Sequence, residues 1–320
     1  MRIDVHAHYF PQEYVDCIAR VVNPAVGPTT ERAPGAGIDL DERLALMDSA
    51  GIDMQVLSAS LLHPNAPNEG DAVAAARLGN DLYADACKRY PGRFAAFASV
   101  PLPHVDAAIA EVERCIDKLG FLGVATGCTV NGRPLDDPAF DPLWAELNRR
   151  ETVLFLHPLF IGFEKEMADY GLSTMVGALF EDTVAAARLV ASGVTSRYPK
   201  MKVIVPHLGG GLPFNIARVA GNIDGQVRRG ELKGIDGPAR ERFRRLWYDT
   251  CNHEPAALRC ACEVFGSDRL LMGTDFPYAV GDRFRHCVEY VEEAGLSPAE
   301  TDAILGGTAQ ELLGIQAPAR

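Results

Sequence analysis

Eight short apolar, β-branched runs, spread over the whole chain and separated by stretches of helical spacing, constrain this sequence more than any other feature. They are residues 3–5, 54–58, 94–100, 123–126, 153–156, 203–205, 246–248 and 270–272. Continuous apolar runs alternating with amphipathic helices are the signature of βα units with parallel, doubly covered strands. Residues 40–50, 72–90 and 105–119 read as such helices, ending at Gly51, before Pro91-Gly92 and at Gly120, where a glycine or proline stops the helix. Eight units meet the count for a closed (β/α)8 TIM barrel, and no G-x-G-x-x-G follows the first run, as an open dinucleotide-binding sheet would require. The expectation is one domain over residues 1–320. Three connections are longer than a barrel needs, residues 21–37, 61–69 and 159–173. Each follows a strand and so belongs to the C-terminal face, where barrel active sites lie.

Composition narrows the function. The 320 residues are 48% hydrophobic and 23% charged, ordinary for a globular chain that buries most of its unfolded surface. No window approaches the roughly 20 apolar residues of a membrane-spanning helix, and the N-terminus enters Arg2-Ile3-Asp4-Val5 without a leader, so a cytoplasmic protein is expected. A net charge of −12 argues against nucleic acid or an anionic membrane as partner, since both need a basic footprint. An anionic small substrate would need arginines placed locally inside a cleft. The eight cysteines show no paired framework and read as reduced thiols. Cys260-Ala261-Cys262 lies in a helical run, residues 254–265, where positions two apart point to different faces, so it reads as packing.

The polar residues at the strand ends carry the chemistry. His6-Ala7-His8 closes the first run, and strand alternation sends both imidazoles to the same side. Histidine is the commonest metal ligand, so two at one strand end make a chelating pair. Singly the motif is weak, but His157 follows the fifth run, His207 the sixth and Asp275 the eighth. A packed barrel interior prefers Val, Ile and Leu, which leaves five convergent polar groups without a packing explanation. His207-Leu-Gly-Gly-Gly211 lacks the trailing Lys and Ser/Thr of a phosphate loop and reads as close backbone approach at the mouth. Phe10, Phe160 and Phe276 are candidates for an apolar slot, and His63 for reaching the pocket. Asp4 and Asp249 are candidates for orienting ligand histidines.

The segments Asp4-Val-His-Ala-His8, Phe155-Leu-His-Pro158, Pro206-His-Leu-Gly-Gly-Gly-Leu-Pro213 and Gly273-Thr-Asp-Phe-Pro277 resemble the amidohydrolase superfamily. In detail they are similar to the branch containing aminocarboxymuconate-semialdehyde decarboxylase and the resorcylate, salicylate and isoorotate decarboxylases. The resemblance implies that His6, His8, His157 and Asp275 bind one divalent ion, commonly zinc and sometimes manganese, with His207 as the acid/base. Two-metal members add a lysine near the end of the fourth strand; residues 121–134 hold none, and Cys128 has no second ligand nearby in sequence. Arg218 stands eleven residues after His207, the spacing at which the decarboxylase branch places an arginine on a substrate carboxylate. Arg32 is a looser match for a second clamp.

The resemblance implies a non-oxidative decarboxylase of an aromatic, heteroaromatic or dienoic acid, with His207 and Asp275 moving the proton that replaces CO₂ and no organic cofactor. A hydrolase or hydratase on the same mononuclear site is the rival reading, because one scaffold supports both. Relatives in this branch imply a homodimer or larger assembly.

Overall fold

The computed structural model describes residues 1–25, 30–159 and 166–316. Eight parallel strands form one sheet in sequential order: β1 (Ile3–His8), β2 (Met54–Ser58), β3 (Phe94–Ser99), β4 (Gly123–Gly127), β5 (Val153–His157), β6 (Lys202–Val205), β7 (Trp247–Asp249) and β8 (Leu270–Leu271). The ring closes between the segment after β8 and β1. Val5 N–H donates to the Met272 carbonyl at 2.9 Å, Asp275 N–H to the His6 carbonyl at 2.8 Å and His8 N–H to the Phe276 carbonyl at 2.7 Å. The (β/α)8 barrel expected from the sequence is the observed fold.

The longer helices among the described residues are α1 (Gln12–Val21), α2 (Leu40–Ala50), α3 (Glu69–Arg89), α4 (Val105–Leu119), α5 (Asp141–Arg149), α6 (Ala178–Ala191), α7 (Leu212–Arg228), α8 (Pro255–Phe265), α9 (Gly281–Glu292) and α10 (Thr308–Leu313). None is long and apolar enough to cross a membrane. Helix α2 shows how locally these boundaries are set: Asp39 and Glu42 form a capping box, and Gly51 ends the helix at φ 66°, a left-handed conformation that costs glycine little.

Strand alternation sorts the apolar residues into two layers. Ile3, Val5, Val56, Phe97, Phe155 and Ile204 pack inside the barrel, with Ala309 and Leu312 of α10 beneath them. Ala7, Leu57, Val124, Leu154, Leu156 and Val205 face outward against the helices. On β1 this creates a phase problem, because Ile3 and Val5 point inward and strict alternation would send His6 and His8 out among the helices. A bulge solves it. Pairing with β2 runs Ile3↔Met54 and Asp4↔Gln55, then Ala7↔Leu57 and His8↔Ser58, so β1 carries one extra residue between Asp4 and Ala7. Such a bulge resets the phase.

Asp4 holds that irregularity. Its Oδ1 accepts the His6 N–H at 3.0 Å and the Thr274 N–H at 3.1 Å, while Oδ2 accepts from Gln55 Nε2 at 2.7 Å and from Thr274 Oγ1 at 2.6 Å. Buried Arg43 of α2 completes the network, donating to Gln55 Oε1 at 2.6 Å and to the His8 carbonyl at 2.7 Å. Buried backbone groups freed by a bulge must find partners, and this network supplies them.

Candidate metal centre

The corrected phase brings the strand-end residues to one point. The ligand atoms of His6, His157, His207 and Asp275 all lie within 4.8 Å of one another. His8 stands beside them, its Nε2 2.9 Å from Asp275 Oδ1 and its ring 4.7 Å from that of His157. The five residues expected from the sequence to converge therefore do so.

Each imidazole is held through Nδ1. His6 pairs with Asp249 Oδ2 at 2.7 Å, His8 with Ser58 Oγ at 3.2 Å, His157 with the Pro158 carbonyl at 2.9 Å and His207 with Asp182 Oδ2 at 2.8 Å. With that nitrogen engaged, Nε2 is left for the centre, the arrangement by which outer partners fix the tautomer of a ligand histidine. The buried Nε2 of His157 has no hydrogen-bond partner among the described residues, and that of His6 makes no hydrogen bond although it lies 3.2 Å from Asp275 Oδ1. Two buried ring nitrogens that make no hydrogen bond are costly unless something fills the space between them and the carboxylate. Donor chemistry and geometry both fit a divalent cation.

Electrostatics agree. Burial disfavours charge on His6, but the carboxylates of Asp249 and Asp275 outweigh it and raise its pKa well above the ordinary value. Burial, reinforced by His8 and His6, holds His157 well below its ordinary value, so its lone pair is free. His8 is pushed down to about 4 by burial, against its hydrogen bond to the Asp275 carboxylate. Asp275 is half-buried, yet the adjoining His6 and His8 keep its pKa well below the usual carboxylate range. For His207, burial opposes protonation and Asp182 more than offsets it, raising its pKa.

The loops that deliver these groups have special geometry. Asp275 and His207 sit at φ 58° and 53°, sparsely populated for non-glycine residues. Gly273 runs so close to β1 that an added Cβ would lie 2.9 Å from the Cβ of His6 and 3.2 Å from that of Asp249. At Gly210 the added atom would come 2.0 Å from the Leu179 carbonyl oxygen. The glycine run after His207 thus serves close approach to α6, as its sequence suggested.

A cavity of about 470 Å³ opens above the centre, with His157, His207 and Asp275 in its floor. Met175, Ala178 and Leu179 form one wall, Asn252, His253 and Arg283 another, and Tyr278 overhangs the centre. Pro34 brings one of the long strand-following connections to the mouth, and Thr174 lies immediately after another.

Several expected placements change. Arg218 is exposed and does not line this cavity. The buried stripe of α7 is Leu212, Ile216, Ala220 and Ile223, and Arg218, two residues from both Ile216 and Ala220, falls on the opposite face. Arg32 is also exposed and outside the cavity lining. Asp4 serves backbone N–H groups rather than an imidazole, leaving Asp249 as the carboxylate of His6. Phe276 is core, stacked under Arg43 at 4.2 Å, Phe10 stacks on the His8 ring at 5.7 Å, and Phe160 lies outside the described residues. His63 is buried behind His8 and pushed down to about 3 by burial and then by that neighbour. Cys128 donates to Asp182 at 3.6 Å. Asp182 itself was missed, although the adjacent acidic residues Glu181 and Asp182 on the buried stripe of α6 were a signal. Tyr278, His253 and Arg283 carry no comparable sequence signal.

Comparisons with known proteins bear on this geometry. A family model described as amidohydrolase matches residues 3–315. The chain is 28% identical over 335 residues to the 2-amino-3-carboxymuconate-6-semialdehyde decarboxylase of Dictyostelium discoideum, covering 98% of this chain and 92% of that protein. It is 31% identical over 278 residues to a gamma-resorcylate decarboxylase of a Rhizobium species, covering 81% and 82%. Among solved structures, it is similar to the 5-carboxyvanillate decarboxylase of Sphingomonas paucimobilis, with a TM-score of 0.89 at 25% identity, covering 98% and 99%.

Proposed function

The chain belongs to the amidohydrolase family, and from that premise we propose that it is a metal-dependent, non-oxidative decarboxylase of an aromatic, heteroaromatic or dienoic carboxylic acid. The observation that carries this reading is a complete set of convergent site residues in a chain similar over nearly its full length to decarboxylases. His6, His8, His157 and Asp275 would hold one divalent cation. A nitrogen-rich donor set favours zinc, with manganese as the alternative. When bound, the cation supplies stabilisation of the negative charge that develops as CO₂ leaves.

The chain's own residues do the rest. The bond between the ring or diene carbon and its carboxylate breaks, the electron pair stays on that carbon, and a proton takes the vacated position. His207 is placed to hold that proton at Nε2, because Asp182 fixes Nδ1 and favours the protonated ring. Asp275, beside it, shares the proton's path. Apolar Met175, Ala178 and Leu179 exclude water along one side of the cavity, which strengthens the electrostatic interactions within.

We place the protein in the cytoplasm, in keeping with its eight free thiols, and expect a homodimer. Its exposed large apolar side chains, Tyr170, Met175, Phe180, Val184 and Phe214, belong to the region around α6 and α7, where Gly211 N–H donates to Thr183 Oγ1. Such a patch suits a second copy. Arg218 lies one helical turn from Phe214 on that exposed side, so we keep it for the substrate carboxylate only as a contribution from the partner copy. The test is a panel of aromatic, heteroaromatic and dienoic acids incubated with metal-loaded protein, scored for CO₂ release. Release from at least one acid is expected; bond hydrolysis or hydration without CO₂ would transfer the same site to the rival reaction.

A further inference from the structure

The proposed chemistry uses the floor of the cavity and leaves one wall unassigned. That wall is made of Asn252 and His253, which follow β7, and Arg283 from the first turn of α9. His253 adopts φ 70°, a strained conformation for a non-glycine residue, and its Nδ1 rests 3.7 Å from Cys287 Sγ. Burial, then the charge of Arg283, lowers His253 to about 4. It is therefore a neutral hydrogen-bonding group beside a permanent cation.

Arg283 is set apart by what it lacks. Among the described residues its guanidinium makes no ion pair or hydrogen bond, whereas its neighbours Asp282 and Arg285 pair with each other. The other two cavity elements, the apolar Met175–Leu179 side and the histidine floor, offer it no carboxylate except Asp275, which His6 and His8 already engage. In a chain of net charge −12, an unpaired guanidinium at the mouth of an acid-binding cavity is a local reversal of the global field. The cavity also has the volume of a site for a larger ligand than a single-ring monoacid. A flat acid with its reacting end over His157, His207 and Asp275 would present an outer edge to this wall.

We propose that the substrate bears a second anionic group besides the carboxylate that is lost, and that Arg283, flanked by Asn252 and His253, recognises it and so selects dianionic over monoanionic acids. The proposal rests on reading the cavity as a decarboxylase site. A planar guanidinium pairs with a carboxylate through two parallel hydrogen bonds, and hydrogen bonds to charged groups are strong enough to shift affinity by roughly 10- to 100-fold.

The test measures binding without turnover. Dissociation constants of benzoate, phthalate, isophthalate and terephthalate are measured by calorimetry on the metal-loaded protein, on Arg283→Gln and on Arg283→Lys. At least one diacid is expected to bind about tenfold or more tightly than benzoate. Arg283→Gln should erase that margin while leaving benzoate within about twofold, and Arg283→Lys should keep part of it. The proposal is overturned if no diacid is favoured, if the margin survives Arg283→Gln, or if that variant weakens benzoate and diacid alike. A protein that releases no CO₂ from any acid yet keeps the Arg283-dependent margin would defeat the decarboxylase reading while leaving the recognition of a second anion by Arg283 standing. CO₂ release without the margin would do the reverse.

Discussion

At the closed end of the barrel the interior is filled by Ile3, Val5, Val56, Phe97, Val153 and Ile204, whereas further along the same strands the inward positions become His6, His8, His157 and Asp249. The first layer is dry and apolar, with α10 packed beneath it. The second holds four imidazoles and two carboxylates, two of whose nitrogens make no hydrogen bond among the described residues. Phe155 joins them, its ring 5.5 Å from Phe97 below and 5.2 Å from His6 above. Stability and chemistry are thus stacked along one axis, and the apolar layer gives the polar one a rigid base. The difference teaches that left-handed backbone and polar groups without hydrogen bonds are tolerated at the mouth where a packed apolar layer lies beneath them.

Substitutions at the two ends should therefore fail in different ways. Asp275→Asn at the mouth is expected to lower kcat by about 10²–10⁴-fold, the range for loss of a proton-transfer group, while the melting temperature of the metal-free protein stays near that of the parent. Steady-state kinetics and calorimetry together check it; a large loss of stability would erase the distinction. Phe97→Ala at the floor should do the opposite. Removing a buried aromatic costs about 3–5 kcal/mol of stability, read by denaturant unfolding, while the surviving folded protein should bind metal as tightly as the parent. Asp249→Asn probes the boundary. It keeps the shape but weakens the partner of His6 Nδ1, and about a 10- to 100-fold loss of metal affinity is expected from titration against a competing chelator. Gly273→Ala should act on both readouts at once, since its added Cβ would crowd His6 and Asp249. About 1–3 kcal/mol of destabilisation is expected from overpacking, together with weaker metal binding.

The two ends also differed in how far they could be read from sequence. The floor was legible because buried parallel strands appear as apolar runs, and all eight were found near their observed positions. The ligands were legible because polar residues at strand ends violate that same pattern. The bulge in β1 was not, since strand periodicity alone places His6 and His8 on one side without saying which, and only the backbone pairing shows how Asp4 turns that side inward. The placement of Arg218 outside this chain's own cavity was not legible for a related reason: a fixed distance from His207 says nothing about which face of α7 a residue occupies. Asp182 and Arg283 come from helices outside the quoted motifs, and they enter the site through the way α6 and α9 pack over the barrel.

The most direct test of a cation at the mouth is its position and stoichiometry, obtained from an anomalous scattering map and the metal content of the same purified protein. About one zinc or manganese ion per chain is predicted, bonded at roughly 2.0–2.2 Å to Nε2 of the strand-end histidines and to Asp275. A protein that turns over acids with no ion there, or with the ion bound elsewhere, would contradict the account.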